Sequence, residues 1–241
     1  MKNMINFNIE KEEAVQIIIC VLAISFAFAI VFYGLDGLIK YPKDFLVFSL
    51  LCLATIGIGF IFHEMGHKIL AMHYGAYAKF QMWVNGLGLM IITSFLGFLF
   101  AAPGAVYIYS NNISKRENGL ISLVGPLINV AMVFVFLGLR VFLPAVQFFP
   151  GLNIDYFFGI RGGTVNVWAF GAGINLMLAL FNMMPIFPLD GSKVYDWNRG
   201  VWFAVTASFL ALGMFFYPGI IISWIFMLIL AFVISKVLFR R

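Results

Sequence analysis

The run FIFHEMGHKIL, residues 60–70, sets two histidines and a glutamate inside a stretch that otherwise reads as a helix buried in lipid. His63 and His67 are four residues apart, so on a helix they lie ~40° apart, one turn above the other. That spacing offers two imidazole nitrogens to one metal ion. Glu64 projects beside them, placed to reach a water on the metal rather than the metal itself. His-Glu-x-x-His on a helix is the arrangement in which paired histidine ligands and a glutamate general base form a hydrolytic zinc site. In a soluble chain so short a pattern also arises by chance. Inside a membrane span an ionisable residue is expensive and functional by default. Of the ten acidic residues, Glu64 alone is set well inside an unbroken apolar run. His73, the third and last histidine, points to the opposite side of the helix and reads as an interfacial residue. Three histidines exclude a multi-histidine di-iron site.

Composition explains why the run is membrane-like. The chain is 63% hydrophobic and 10% charged, with a mean hydropathy of +1.02, more apolar surface than a soluble domain can hide. Long apolar runs fall near 14–33, 45–74, 119–143, 166–184, 200–217 and 219–238, each about long enough for one spanning helix. The expected fold is an all-α polytopic membrane protein of about six spans, one domain over residues 1–241. Tyr217-Pro218-Gly219 between the last two runs is a tight turn or a kink. No cleavable signal peptide is evident in the first run. With six spans both termini share a side, which collects Lys68, Lys79, Lys115, Arg116, Lys193 and Arg199 along with the terminal cations. The other side carries Lys40, Lys43, Arg140 and Arg161. The positive-inside rule therefore places both termini in the cytoplasm of a cell-membrane protein. The formal charge of +5 is scattered over loops, so nucleic acid is not an expected partner. Cys20 and Cys52 both fall in apolar spans and read as packing residues rather than a disulfide.

A catalytic zinc takes three protein ligands and keeps one open position, so a third ligand must come from elsewhere. Glu117 lies beside Lys115 and Arg116 and reads as a solvated charge; Asp36, Asp44 and Asp155 fall in connections on the far side. Asp190 differs. It follows Pro185 and Pro188 in NMMPIFPLDGSK, where a spanning helix is broken before a charged loop, and irregular backbone at membrane depth is tolerated only when buried in protein or lining a wet cavity. Counting from Phe45 to His63 and from Val165 to Met183 gives equal lengths of helix, which brings the segment carrying Asp190 to the depth of the histidines, in the cytoplasmic half.

These motifs carry a resemblance. HEMGH at 63–67, GPLIN at 125–129 and NMMPIFPLDG at 182–191, in that order, resemble the site-2 protease family of intramembrane zinc metalloproteases, and the likeness runs from the second span to Gly191. It implies one zinc per chain held by His63, His67 and Asp190, Glu64 as catalytic base, and a transmembrane segment of another protein as substrate in regulated intramembrane proteolysis. Gly-Ser-Lys after the aspartate replaces the more usual Gly-Gly-Arg. The resemblance also implies that Asn182 lies near the zinc, where it holds substrate or the developing oxyanion; an interhelical hydrogen bond is the plainer reading. Asn175, seven residues earlier, reads as structural. In GPLIN, Gly125 and Pro126 permit close packing and a kink, with Asn129 one turn on; structural support near the active site is the expected role.

The segment 78–106 is apolar but rich in glycine, threonine and aromatic residues, which fits short strands or a re-entrant hairpin better than a span; a plain span, making seven, is the other reading. Its Gly86-Leu87-Gly88 resembles a glycine motif on a membrane-associated β-structure in the family, which implies substrate binding there. An exposed strand edge could hold an unwound substrate by main-chain hydrogen bonds. The rival from another class is a non-catalytic membrane metal-binding protein or transporter. A transporter needs more than one metal site along its path, and a pure binding site has no use for Glu64. Another type of membrane zinc protease takes a glutamate from a later helix as its third ligand, but no glutamate follows Glu117.

Overall fold

The computed structural model describes residues 8–99, 103–110, 112–152, 156–157, 160–216 and 220–238; Asp155, Tyr217-Pro218-Gly219, Lys2, Arg240 and Arg241 lie outside them. Helix α1, Lys11–Lys40, starts on a reciprocal cap in which Glu10 and Glu13 each take the other's backbone N–H, satisfying donors that a first turn leaves bare. Gly34 interrupts it with φ 77° and ψ 170°, a conformation open to glycine, so the expected first span continues past its break to Lys40. Helix α2, Pro42–Cys52, begins one residue later with proline in its first turn. It runs through a π-helical turn, Leu53–Gly57, into α3, Ile58–His73.

Strand β1, Tyr77–Met82, pairs antiparallel with β2, Gly104–Tyr109, and between them lies α4, Val84–Phe95. The small β-structure is therefore present, but the glycines sit in the first turns of α4 and not on a strand. The reason is the spacing of its apolar residues. Leu87, Met90 and Ile91 follow the 3–4 period of a helix and pack on the core around α1. At 12 residues, ~18 Å, α4 is too short for a full span. Helix α5, Lys115–Phe142, opens on a capping box between Ser114 and Glu117.

Beyond α5, four short strands, β3 Val146–Phe148, β4 Tyr156–Phe157, β5 Ile160–Arg161 and β6 Thr164–Val165, pair in the order β3-β6-β5-β4. Then come α6, Val167–Asn182, the short α7, Asp190–Trp197, and α8 and α9, Arg199–Met214 and Ile220–Leu238. Among the described residues three stretches, Lys11–Lys40, Pro42–His73 and Lys115–Phe142, are long and apolar enough to cross a membrane; α6 and α8, at 16 residues each, are shorter. Two cores bracket the site. One packs Tyr33, Phe48 and Phe170 from α1, α2 and α6, all fully buried. The other packs Val133 and Phe136 of α5 on Leu176 and Leu180 of α6, with Phe209 and Trp224 closing it.

Candidate metal centre

Gly59, His63, Gly66 and His67 recur at helical spacing on one face of α3, and that face meets α5 and α6. Each glycine makes room: a β-carbon at Gly66 would strike Ile128, and one at Gly59 would strike Asn175. Close approach of the helices follows, and the imidazoles come to lie against α5. A β-carbon at Gly125 would sit 2.5 Å from Nε2 of His67 and 2.7 Å from Cε1 of His63. Gly125 is thus the floor of the histidine pair. Pro126 follows it, buried inside α5, and removes one donor from the helix ladder there.

Asp190 arrives from the other side. The chain breaks after α6 and re-enters α7 with Asp190 as its first residue, and Oδ2 reaches 3.2 Å from His63 Nε2 and 3.1 Å from His67 Nε2. The two Nε2 atoms are 3.0 Å apart. All three residues are buried, and among the described residues they form a cluster able to take one ion. The other carboxylate oxygen, Oδ1, accepts from Lys193 Nζ at 3.2 Å.

The donor set fits zinc. His67 Nδ1 lies 2.7 Å from the Ile121 carbonyl, an oxygen that can only accept, so Nδ1 carries the proton and Nε2 offers a lone pair. Lone pairs crowded together with a carboxylate oxygen repel unless a cation joins them. Zinc with bonds of ~2.0–2.1 Å in tetrahedral geometry wants its donors ~3.3 Å apart, close to the spacings found. Nδ1 of His63 lies 2.5 Å from Oδ1 of Asn129, so both imidazoles have a partner behind them, as metal-bound histidines almost always do.

Glu64 is buried next to His63. Its Oε2 accepts from the backbone N–H of Val106 on β2 at 2.9 Å. The sheet register explains that free N–H. Val106 faces Phe80, whose own N–H donates outward to Glu13 Oε1 at 2.9 Å, so the two residues form a pair without mutual hydrogen bonds. Met82, opposite Gly104, likewise sends its N–H outward, to Gln16 Oε1 at 2.8 Å. The outer edge of β1 is therefore closed by α1 side chains. The outer edge of β2 faces Glu64.

The other residues named from the sequence are not among the three that cluster. Asn182 is half-buried at the end of α6, where Nδ2 donates back to Leu178 at 3.1 Å. Gly86 is buried in α4, and nothing lies within 4 Å of a β-carbon placed at Gly88. His73 ends α3 beside Tyr74. Missed from the sequence were Lys193, the Ile121 carbonyl and the Val106 amide. A lysine three residues after an aspartate on a helix is a readable signal; main-chain partners carry none.

The chain has known relatives. The sequence model of peptidase family M50 matches residues 51–198, more than half of the chain, including the three clustered residues and Glu64. A Methanocaldococcus jannaschii protein named as a putative zinc metalloprotease is 41% identical over 197 residues, covering 81% of this chain and 90% of that one. A Bacillus subtilis protein named in the same way is 26% identical over 176 residues, covering 67% and 74%. No solved structure matches the chain. A histidine pair, an aspartate and a buried glutamate, on a scaffold that this family's sequence pattern spans, lead to one conclusion: the chain belongs to peptidase family M50, the site-2 protease family of zinc metalloproteases.

Proposed function

We propose that His63, His67 and Asp190 hold one zinc per chain, that Glu64 is the general base, and that the substrate is a membrane-embedded segment of another protein, captured as a strand on the outer edge of β2. The observation that carries this reading is the meeting of three lone-pair donors within 4.8 Å of one another, next to a buried glutamate that accepts from β2, a strand paired only with β1 among the described residues. When bound, zinc supplies the Lewis acidity that lets a water lose its proton near neutral pH. Glu64 takes that proton and returns it to the leaving amine. Main-chain groups of Gly104, Val106 and Ile108 face away from β1 by the same register, and a peptide laid beside them is held extended, with its backbone hydrogen bonds satisfied as lipid demands. The side of β2 takes the substrate role expected of Gly86 and Gly88. The family resemblance supports a part for Asn182, the last residue of α6, in aiding the oxyanion. Six apolar runs support six spans, and the charge distribution of the loops supports termini and metal toward the cytoplasm.

The test is incubation of the purified protein with single-span membrane proteins, with and without a zinc chelator, beside elemental analysis. Cleavage that the chelator abolishes, with zinc near one per chain, is expected. Full zinc occupancy in a His63→Ala, His67→Ala double variant would refute the ligand assignment. A zinc-loaded protein inert on every membrane substrate would favour a binding or transport role.

A further inference from the structure

We infer that Asn129, backed by Asn175, is a positioning residue that fixes the tautomer of His63; the inference rests on the metal site proposed above. Both asparagines are fully buried, where each polar atom must find a partner. Asn175 Nδ2 lies 2.9 Å from the Gly171 carbonyl and 3.3 Å from that of Thr55. Carbonyl oxygens only accept, so the amide nitrogen faces them and Oδ1 faces Asn129. Asn129 Nδ2 is 3.0 Å from that Oδ1 and 3.4 Å from the Gly59 carbonyl. Both again only accept, so the oxygen of Asn129 is left to point at His63 Nδ1. An amide oxygen cannot donate. The imidazole proton therefore sits on Nδ1, and Nε2 presents its lone pair.

The chain of amides matters because something pulls the other way. Asp190 Oδ2 stands 3.2 Å from His63 Nε2, and in the absence of a stronger claim a carboxylate draws the imidazole proton toward itself. A proton on Nε2 blocks the ligand position. Asn129 supplies the opposing acceptor, and the carbonyls of Thr55, Gly59 and Gly171 keep it from turning over. Thr55 lies in the π-helical turn, a local widening common at functional sites. Gly59 leaves the space that the Asn175 amide fills. His67 needs no such relay, since its partner is a main-chain carbonyl that cannot reverse.

The experiment uses the full chain in detergent. With only three histidines, ring-nitrogen NMR of protein carrying 15N-histidine resolves each tautomer. The expected result is a proton on Nδ1 of His63 in both metal-free and zinc-loaded protein, with Nε2 shifted by zinc. Competition with a chelator then compares variants. Asn129→Leu, which removes the acceptor, should weaken zinc ~10–100-fold, as loss of an outer partner does. Asn129→Asp should recover most of that, because the neutral buried acid accepts from His63 and donates to Asn175. A merely structural asparagine would not give this order. Wild-type zinc affinity in Asn129→Leu, or equal loss in both variants, would overturn the positioning role while leaving the metal site standing. Should Asn129→Leu fail to fold, the wild-type spectrum decides: a proton on Nε2, or zinc on Nδ1, overturns the inference. A His63 ring indifferent to zinc overturns the metal site as well.

Discussion

Lys68 Nζ lies 2.6 and 2.7 Å from the two carboxylate oxygens of Glu13, in an ion pair whose members are 2% and 1% exposed. Lys68 directly follows His67 of the buried cluster, and Glu13 also accepts from the Phe80 amide on β1. One buried carboxylate thus joins the start of α1, the last turns of α3 and the strand beside the site. Breaking such a pair leaves a buried charge uncompensated. Lys68→Met or Glu13→Gln alone should lose ~3–5 kcal/mol of stability, and the double variant much less than their sum. Denaturation in detergent, read as a double-mutant cycle, checks this. Strictly additive losses would show that the pair is not coupled.

Glu64→Gln separates hydrolysis from metal binding. Glutamine keeps the shape and can still accept from Val106 through its amide oxygen, but it cannot take a proton from water at neutral pH. Zinc should stay stoichiometric while the hydrolytic step slows by ~10²–10⁴-fold. Wild-type cleavage in a variant that retains zinc would remove Glu64 from the base role.

The open edge of β2 is tested with proline, which has no N–H to offer. Ile108→Pro removes an outward donor two residues from the one Glu64 uses, so zinc content should be unchanged and cleavage of membrane substrates reduced. Gly88→Ala is the contrast. With space for the methyl and a helical backbone, it should stabilise by up to ~1 kcal/mol and leave cleavage intact. Strong loss in Gly88→Ala with an unaffected Ile108→Pro would return the substrate site to α4.

Gly125→Ala puts a methyl where the imidazoles lie. The crowding is on the His63 and His67 side chains, so displacement of the rings is expected before loss of the fold. Zinc affinity should fall steeply while the helical signal in circular dichroism persists. Unchanged zinc binding would mean that α5 stands further from the histidines than described.

How much of this was legible in the sequence varies with the kind of interaction. His63, Glu64 and His67 are readable because one helical turn fixes their geometry, and Asp190 because a broken helix in lipid demands an explanation. The β-structure around 77–109 was readable from composition, but its inner boundary was not. Leu87, Met90 and Ile91 carry a helical period that the neighbouring glycines obscure. Lys68 reads as one more cytoplasmic cation in a count of charges, yet it is buried against Glu13, 55 residues away in sequence. No local rule pairs two such residues. Asn129 and Asn175 stand out as polar residues in apolar helices, but their order in the relay depends on carbonyls that no side-chain pattern reveals.

One hydrogen-bond donor on β2 has two claimants. The Val106 N–H is given to Glu64, and it lies on the edge where an incoming peptide would pair. A single amide proton makes one strong bond, so the two claims are mutually exclusive. Docking of an extended chain at that residue and discharge of the glutamate from its resting contact are then one exchange, in which a hydrogen bond is swapped rather than added. A ligand without a main-chain acceptor at that point leaves the exchange unmade, and the carboxylate stays moored to the strand.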